Sequence, residues 1–138
     1  MKKWLVLLSF VFLLSGCGEP KTQLVRVDFH TAWAGEKDLD VWMIQDEETL
    51  LELSSIFQAV TWQDKADSSR PQQEHYVLTL FNETNEPPET LDDFQLFFLK
   101  DEQKALLLGD SGVALINETD TKKLQKILQS TKNYQQAP

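Results

Sequence analysis

One cysteine, Cys17, and two histidines, His30 and His75, are all that this chain of 138 residues has of either type. A single thiol excludes an internal disulfide framework and any cysteine-rich zinc site. Basic residues are also scarce: 13 Lys and Arg stand against 22 Asp and Glu, a formal charge of −9. A surface of that sign repels nucleic acid, whose binding needs clustered Lys and Arg to displace counterions. It repels anionic lipid headgroups as well, so the domain is expected to stand off a bilayer. The apolar run at the head of the chain, Trp4 to Leu14, is only eleven residues long. A helix needs about 20 to cross the hydrocarbon.

What is present begins with Met1-Lys2-Lys3, then that apolar run, then Ser15-Gly16-Cys17. A positive start, a short apolar core and small residues follow the plan of a secretory signal peptide. Leu14-Ser15-Gly16-Cys17 resembles the lipobox of bacterial lipoproteins, in which the cysteine takes a diacylglyceryl group and becomes the new N-terminus. The resemblance implies a lipid anchor of the palmitate type at Cys17 and a place on the extracytoplasmic side of the cell membrane. Two acyl chains hold a protein stably where one holds it marginally, so no polybasic patch is required.

The expected division is a lipoprotein signal peptide over 1–16, a lipidated tether over 17–23, a single domain over 24–130 and a polar tail over 131–138. Cleavage before Cys17 removes Lys2 and Lys3, leaving 122 residues whose side chains carry a formal charge of −11. That length suffices for one domain with a modest core.

Residues 24–30 alternate, with Val25, Val27 and Phe29 on one face and Arg26, Asp28 and His30 on the other, the period of a half-buried strand. A turn at 34–38 leads to a second strand over 39–44. Asp46 is placed to cap a helix, with Glu47 and Glu48 at its positive end. Leu50, Leu53, Ile56, Phe57 and Val60 then recur at helical spacing. The polar stretch 63–74, with Ser68-Ser69-Arg70-Pro71, reads as a surface loop.

Strands are expected at 75–81, 94–99, 105–108 and 113–116, the last three joined by turns at 101–104 and at Gly109-Asp110-Ser111-Gly112. Connections that short require antiparallel pairing. Phe94-Gln95-Leu96-Phe97-Phe98-Leu99 is apolar on both faces, which places it centrally. The acidic stretch 82–93, with Pro87-Pro88, reads as a loop. A closing helix capped at Thr119 or Asp120 turns Leu124, Ile127 and Leu128 inward and Lys122, Lys123 and Lys126 outward. The fold class is therefore α+β: an antiparallel sheet in the order β-β-α-β-β-β-β-α, with two helices packed on one face.

Pro71, Tyr76-Val77-Leu78-Thr79-Leu80, Gly112 and Asp120-Thr121-Lys122-Lys123-Leu124, in that succession of elements, resemble small Gram-positive lipoproteins of the YhfM-like kind. The resemblance spans about residues 39–130 and departs in the length of the loop at 82–93. It implies fold and location, and no activity.

Candidate chemistry is thin. His30 and His75 would share a metal with Asp28 or Glu74 only if their strands paired, and exposed strand histidines are the commoner case. Glu83, Glu86, Glu89, Asp92 and Asp93 crowd one loop whose carboxylates could hold calcium, but the spacing matches no EF-hand and a solvated acidic loop is the commoner case. Gly109-Asp110-Ser111-Gly112 lies between strands, whereas the hydrolase elbow is strand-to-helix with G-x-S-x-G. Asn82-Glu83-Thr84 and Asn117-Glu118-Thr119 fit the glycosylation pattern but read as a loop and a helix cap. Trp33, Trp42 and Trp62 remain, and Trp33, beside a turn, is the candidate partner-binding residue.

The expectation is a non-catalytic binding or accessory module with no catalytic residue, metal or cofactor. Its partners would be the membrane, through Cys17, and a protein or envelope component, with no nucleic acid. The alternative is a small cell-envelope hydrolase using paired carboxylates.

Overall fold

A computed structural model of the protein describes residues 22–33, 36–37, 40–64, 70–84 and 90–137. The signal-peptide, lipobox and Cys17 readings lie outside the described residues, as do the centres of the loops at 65–69 and 85–89. The elements are β1 (Gln23–Trp33), β2 (Glu36–Lys37), β3 (Trp42–Ile44), α1 (Glu47–Gln58), β4 (Trp62–Gln63), β5 (His75–Glu83), β6 (Thr90–Leu99), β7 (Lys104–Gly109), β8 (Gly112–Ile116) and α2 (Glu118–Gln135). All pairings are antiparallel, in the order β2-β1-β5-β6-β7-β8-β4, with β3 also on β1. The α+β class holds, with β2 and β4 as short additions to the expected order.

β1 takes two partners on one side. Trp33 and Ala32 pair with Glu36 and Lys37, and Phe29 to Val27 pair with Trp42 to Ile44. β2 thus falls within the expected turn at 34–38, and of the expected strand over 39–44 the structure shows Trp42–Ile44.

One face of the sheet meets both helices. Val27, Phe29, Trp42, Ile44, Leu78, Leu80, Leu96, Ala105, Leu107, Ala114 and Ile116 form one cluster with Leu50, Leu53 and Ile56 of α1 and Leu124, Ile127 and Leu128 of α2. The predicted stripes are thus the buried ones, although Phe57 and Val60 are only partly buried. Leu24, not Val25, belongs to the core. The cause is a β-bulge between Leu24 and Arg26, which adds a residue to β1 and reverses the facing on its N-terminal side.

Asp46 caps α1 as its side chain predicts, accepting the backbone N–H of Thr49 at 2.9 Å. Hydrogen bonds from Thr49, its side chain first and its backbone second, hold the Asp46 carboxyl below the ordinary carboxylate value. The cap's contribution is therefore present above the unfolded carboxylate pKa and is lost as pH falls through the lowered one. The cap of α2 is Asn117, ahead of the expected Thr119 or Asp120. Its side-chain oxygen accepts the Asp120 N–H at 2.9 Å while its amide donates to the Asp120 carboxylate at 2.9 Å.

Longer stretches expected to be irregular are ordered as well. β5 continues to Glu83 and β6 starts at Thr90, so both ends of the acidic stretch 82–93 lie in a hairpin. Cross-strand donors make that tolerable: Thr79 donates to Asp93 at 2.7 Å and Asn82 to Asp92 at 2.9 Å. The expected tail over 131–138 is helical as far as Gln135. The Gln135 amide donates to the Met43 carbonyl at 2.6 Å and accepts the Met43 N–H at 3.2 Å. It completes the free edge of β3 as a further strand would, which blunts that edge against pairing with another chain. One turn earlier, the Lys132 ammonium lies 4.6 Å from the centre of the Trp42 ring.

Among the described residues, no helix is long and apolar enough to cross a membrane.

Candidate functional site

The helices cover one face of the sheet; the candidate site lies on the other. Successive side chains of a strand point to opposite faces, so pairing brings outward residues of different strands into rows. One row runs His30, Val77, Gln95, Leu108, Val113 across β1, β5, β6, β7 and β8. Beside it runs Asp28, Thr79, Asp93. On the other side the face is apolar, with Phe97, Leu106 and Leu115 in register. Phe97 is fully buried and His75 stacks on its ring at 4.5 Å. The chain entering β5 lies against this half, where the Gln73 amide donates to the Phe98 carbonyl at 2.7 Å.

Where the polar and apolar halves meet, a cleft of about 440 Å³ opens, lined by His30, Val77, Thr79, Asp93 and Gln95. Arg70, from the chain leading to β5, and Asp110, from the β7–β8 turn, also line it. Its volume is within the usual range for small-molecule sites, about 300–1,000 Å³. Among the described residues, two side-chain polar atoms are buried without any hydrogen-bond partner, His30 Nε2 and Gln95 Oε1, and both residues line this cleft. Buried polar atoms are paired in the great majority of cases, and leaving one unmade costs about 1–3 kcal/mol. In this cleft, folding leaves both bonds unmade.

The expected site residues fall elsewhere or only in part here. Trp33 ends β1, opposite Glu36, and is 50 % exposed, whereas Trp42 is buried and Trp62 partly so. His30 and His75 stand on adjacent strands of the outer face, two positions out of register. Their rings are differently engaged: His75 Nδ1 lies 3.3 Å from the Gln73 carbonyl and its ring covers Phe97. Asp28, a candidate third ligand, holds the Arg26 guanidinium at 2.8 and 2.6 Å. Among the described residues, no group of three or more His, Cys, Asp or Glu is placed to hold a metal ion. Gly109 pairs with Gly112, making Asp110-Ser111 the tip of a two-residue hairpin.

Reasoning from sequence missed Gln95 and Arg70. The signal for Gln95 was visible, because it is the one polar residue in Phe94-Gln95-Leu96-Phe97-Phe98-Leu99. In a central strand apolar on both faces, a lone amide needs a reason. Arg70 carried no such signal: one cation in a polar loop looks like any other until the topology is known.

Other hollows open among the described residues, including two of similar or larger size. One of about 450 Å³ lies between the start of β1 and α1, bordered by Leu24, Leu50 and the exposed Leu51. Another of about 530 Å³ lies beside β8 and the start of α2, bordered by Val60, Leu106 and Leu115. Among the described residues, neither is lined by an unpartnered buried polar atom. No protein-family model, curated protein or solved structure matches this chain.

Proposed function

We propose that this chain is a membrane-anchored, extracytoplasmic lipoprotein acting as a non-catalytic binding or accessory module. Cys17, in Leu14-Ser15-Gly16-Cys17, is the proposed lipid attachment, and the domain after it carries the recognition surface. The observation that carries the binding reading is the outer-face cleft with its two unpartnered buried atoms, His30 Nε2 and Gln95 Oε1. Trp33 is the proposed contact for a protein or envelope component, a large aromatic at the end of a strand with half its surface in water.

The second reading, an envelope hydrolase using paired carboxylates, has Asp93 and Asp110 in its favour, since both line the same cleft. Against it, Asp93 is already engaged by the Thr79 hydroxyl at 2.7 Å, and Asp110 stands on an exposed hairpin tip.

Crosslinking of the lipidated protein in cells, followed by pull-down, separates the two. The module reading expects one macromolecular partner to be recovered repeatedly, and to be lost with Trp33→Ala. Turnover of an envelope polymer by the purified protein, abolished by Asp93→Asn, would establish the hydrolase instead.

A further inference from the structure

From the same cleft we infer the chemistry of a ligand: a small zwitterion of the amino-acid or short-peptide class. The inference rests on the binding reading above and adds what the cleft would take. Its lining carries charge of both signs, the Arg70 guanidinium and the carboxylates of Asp93 and Asp110. Among the described residues, no ion pair joins Arg70 to either acid. A ligand carboxylate suits the guanidinium, which binds planar oxyanions through two parallel N–H bonds. A ligand ammonium suits the acids. In the same lining, Gln95 Oε1 needs a donor such as a peptide N–H, and His30 Nε2 takes either a donor or an acceptor according to its tautomer. Val77, which separates His30 from Gln95 in the row, and Leu108 beyond Gln95 supply apolar floor for a short aliphatic side chain.

Other ligand classes fit worse. A phosphate or nucleotide would bring its charge against Asp93 and Asp110. A wholly apolar ligand would leave both buried atoms unpaired and add their desolvation to its own cost. A neutral polyol would satisfy the acids and leave the guanidinium without a counter-charge.

The probe is L-alanyl-L-alanine, titrated into the mature lipidated protein in detergent micelles. Binding is read from the Gln95 side-chain amide and the His30 ring resonances. Three blocked forms accompany it: the N-acetyl derivative, the C-terminal amide, and the doubly blocked peptide. Saturable shifts at both residues are expected with the free dipeptide, with each single block weakening binding by about tenfold or more. Arg70→Gln should weaken the free dipeptide by a similar factor and remove the discrimination against the amide. The comparison of blocked forms uses the unaltered protein, so it does not depend on a variant folding. No saturable shift up to about 10 mM, or equal binding of the free and doubly blocked peptides, would overturn the zwitterion. A protein partner recovered by crosslinking while the dipeptide fails would remove the ligand assignment and leave the module standing.

Discussion

Replacing Leu53 by alanine is expected to lower the unfolding free energy by about 2–5 kcal/mol, the range for large-to-small changes at fully buried sites. Leu53 is only 1 % exposed and lies mid-way along α1, between Leu50 and Ile56 in the stripe that faces the sheet. Truncation would leave a cavity with the sheet on one side and the helix backbone on the other, neither free to collapse. With domain stabilities of about 5–15 kcal/mol, such a loss is a large fraction of the whole. Phe57→Ala should cost less than a fully buried phenylalanine would, because Phe57 is only partly buried and stacks on Phe94 at a centroid distance of 6.3 Å. Leu51→Ala, on the exposed side of the same helix, should stay within about 0.5 kcal/mol. Urea denaturation of the three variants checks the order. A loss at Leu53 no greater than at Leu51 would mean that α1 packs through a different face.

Gly112→Ala carries the second large effect. Gly112 has φ = +129°, a conformation that side chains with a Cβ rarely adopt. A Cβ there would also stand 2.0 Å from the carbonyl oxygen of Gln63, a backbone atom held by the pairing of β4 with β8. Strain at such a backbone position costs about 1–3 kcal/mol and overpacking adds a similar amount, so a loss of about 3 kcal/mol or more is expected. The local reporter is Trp62, adjacent to Gln63 and stacked on Phe94 at 5.5 Å. If β4 is pushed off β8, Trp62 emission should shift to the red before global unfolding. Ser111→Ala, at the exposed tip of the same turn, is the control and should change stability by less than about 0.5 kcal/mol. A stable Gly112→Ala with unchanged Trp62 emission would contradict the packing of β4 on this hairpin.

The features legible in the sequence are those governed by local physics. The apolar spacing of α1, the Asp46 cap, the two-residue hairpin between Gly109 and Gly112 and the central place of β6 each follow from a few neighbouring residues. What was not legible depends on distant partners. The bulge at Val25 leaves no mark in Leu24-Val25-Arg26-Val27, whose plain alternation points the wrong residue inward. Thr90-Leu91-Asp92-Asp93 lacks a strand's apolar content and becomes one because Thr79 and Asn82 on β5 meet its carboxylates. Gln135 reads as part of a polar tail and closes a sheet edge contributed by Met43, ninety-two positions earlier. The cleft is of the same kind. His30, Arg70 and Gln95 come from three separate stretches, and only the β1-β5-β6 order puts two of them in one row.

The central claim, a binding module held outside the membrane by lipid on Cys17, is tested most directly at that residue. The measurement is the intact mass of the membrane-extracted protein, together with the fractionation of Cys17→Ser. The account predicts a mature chain that starts at Cys17 and carries a diacylglyceryl group, and a Cys17→Ser protein that leaves the membrane fraction or accumulates uncleaved. A Cys17→Ser protein that stayed membrane-bound and was correctly processed would contradict it.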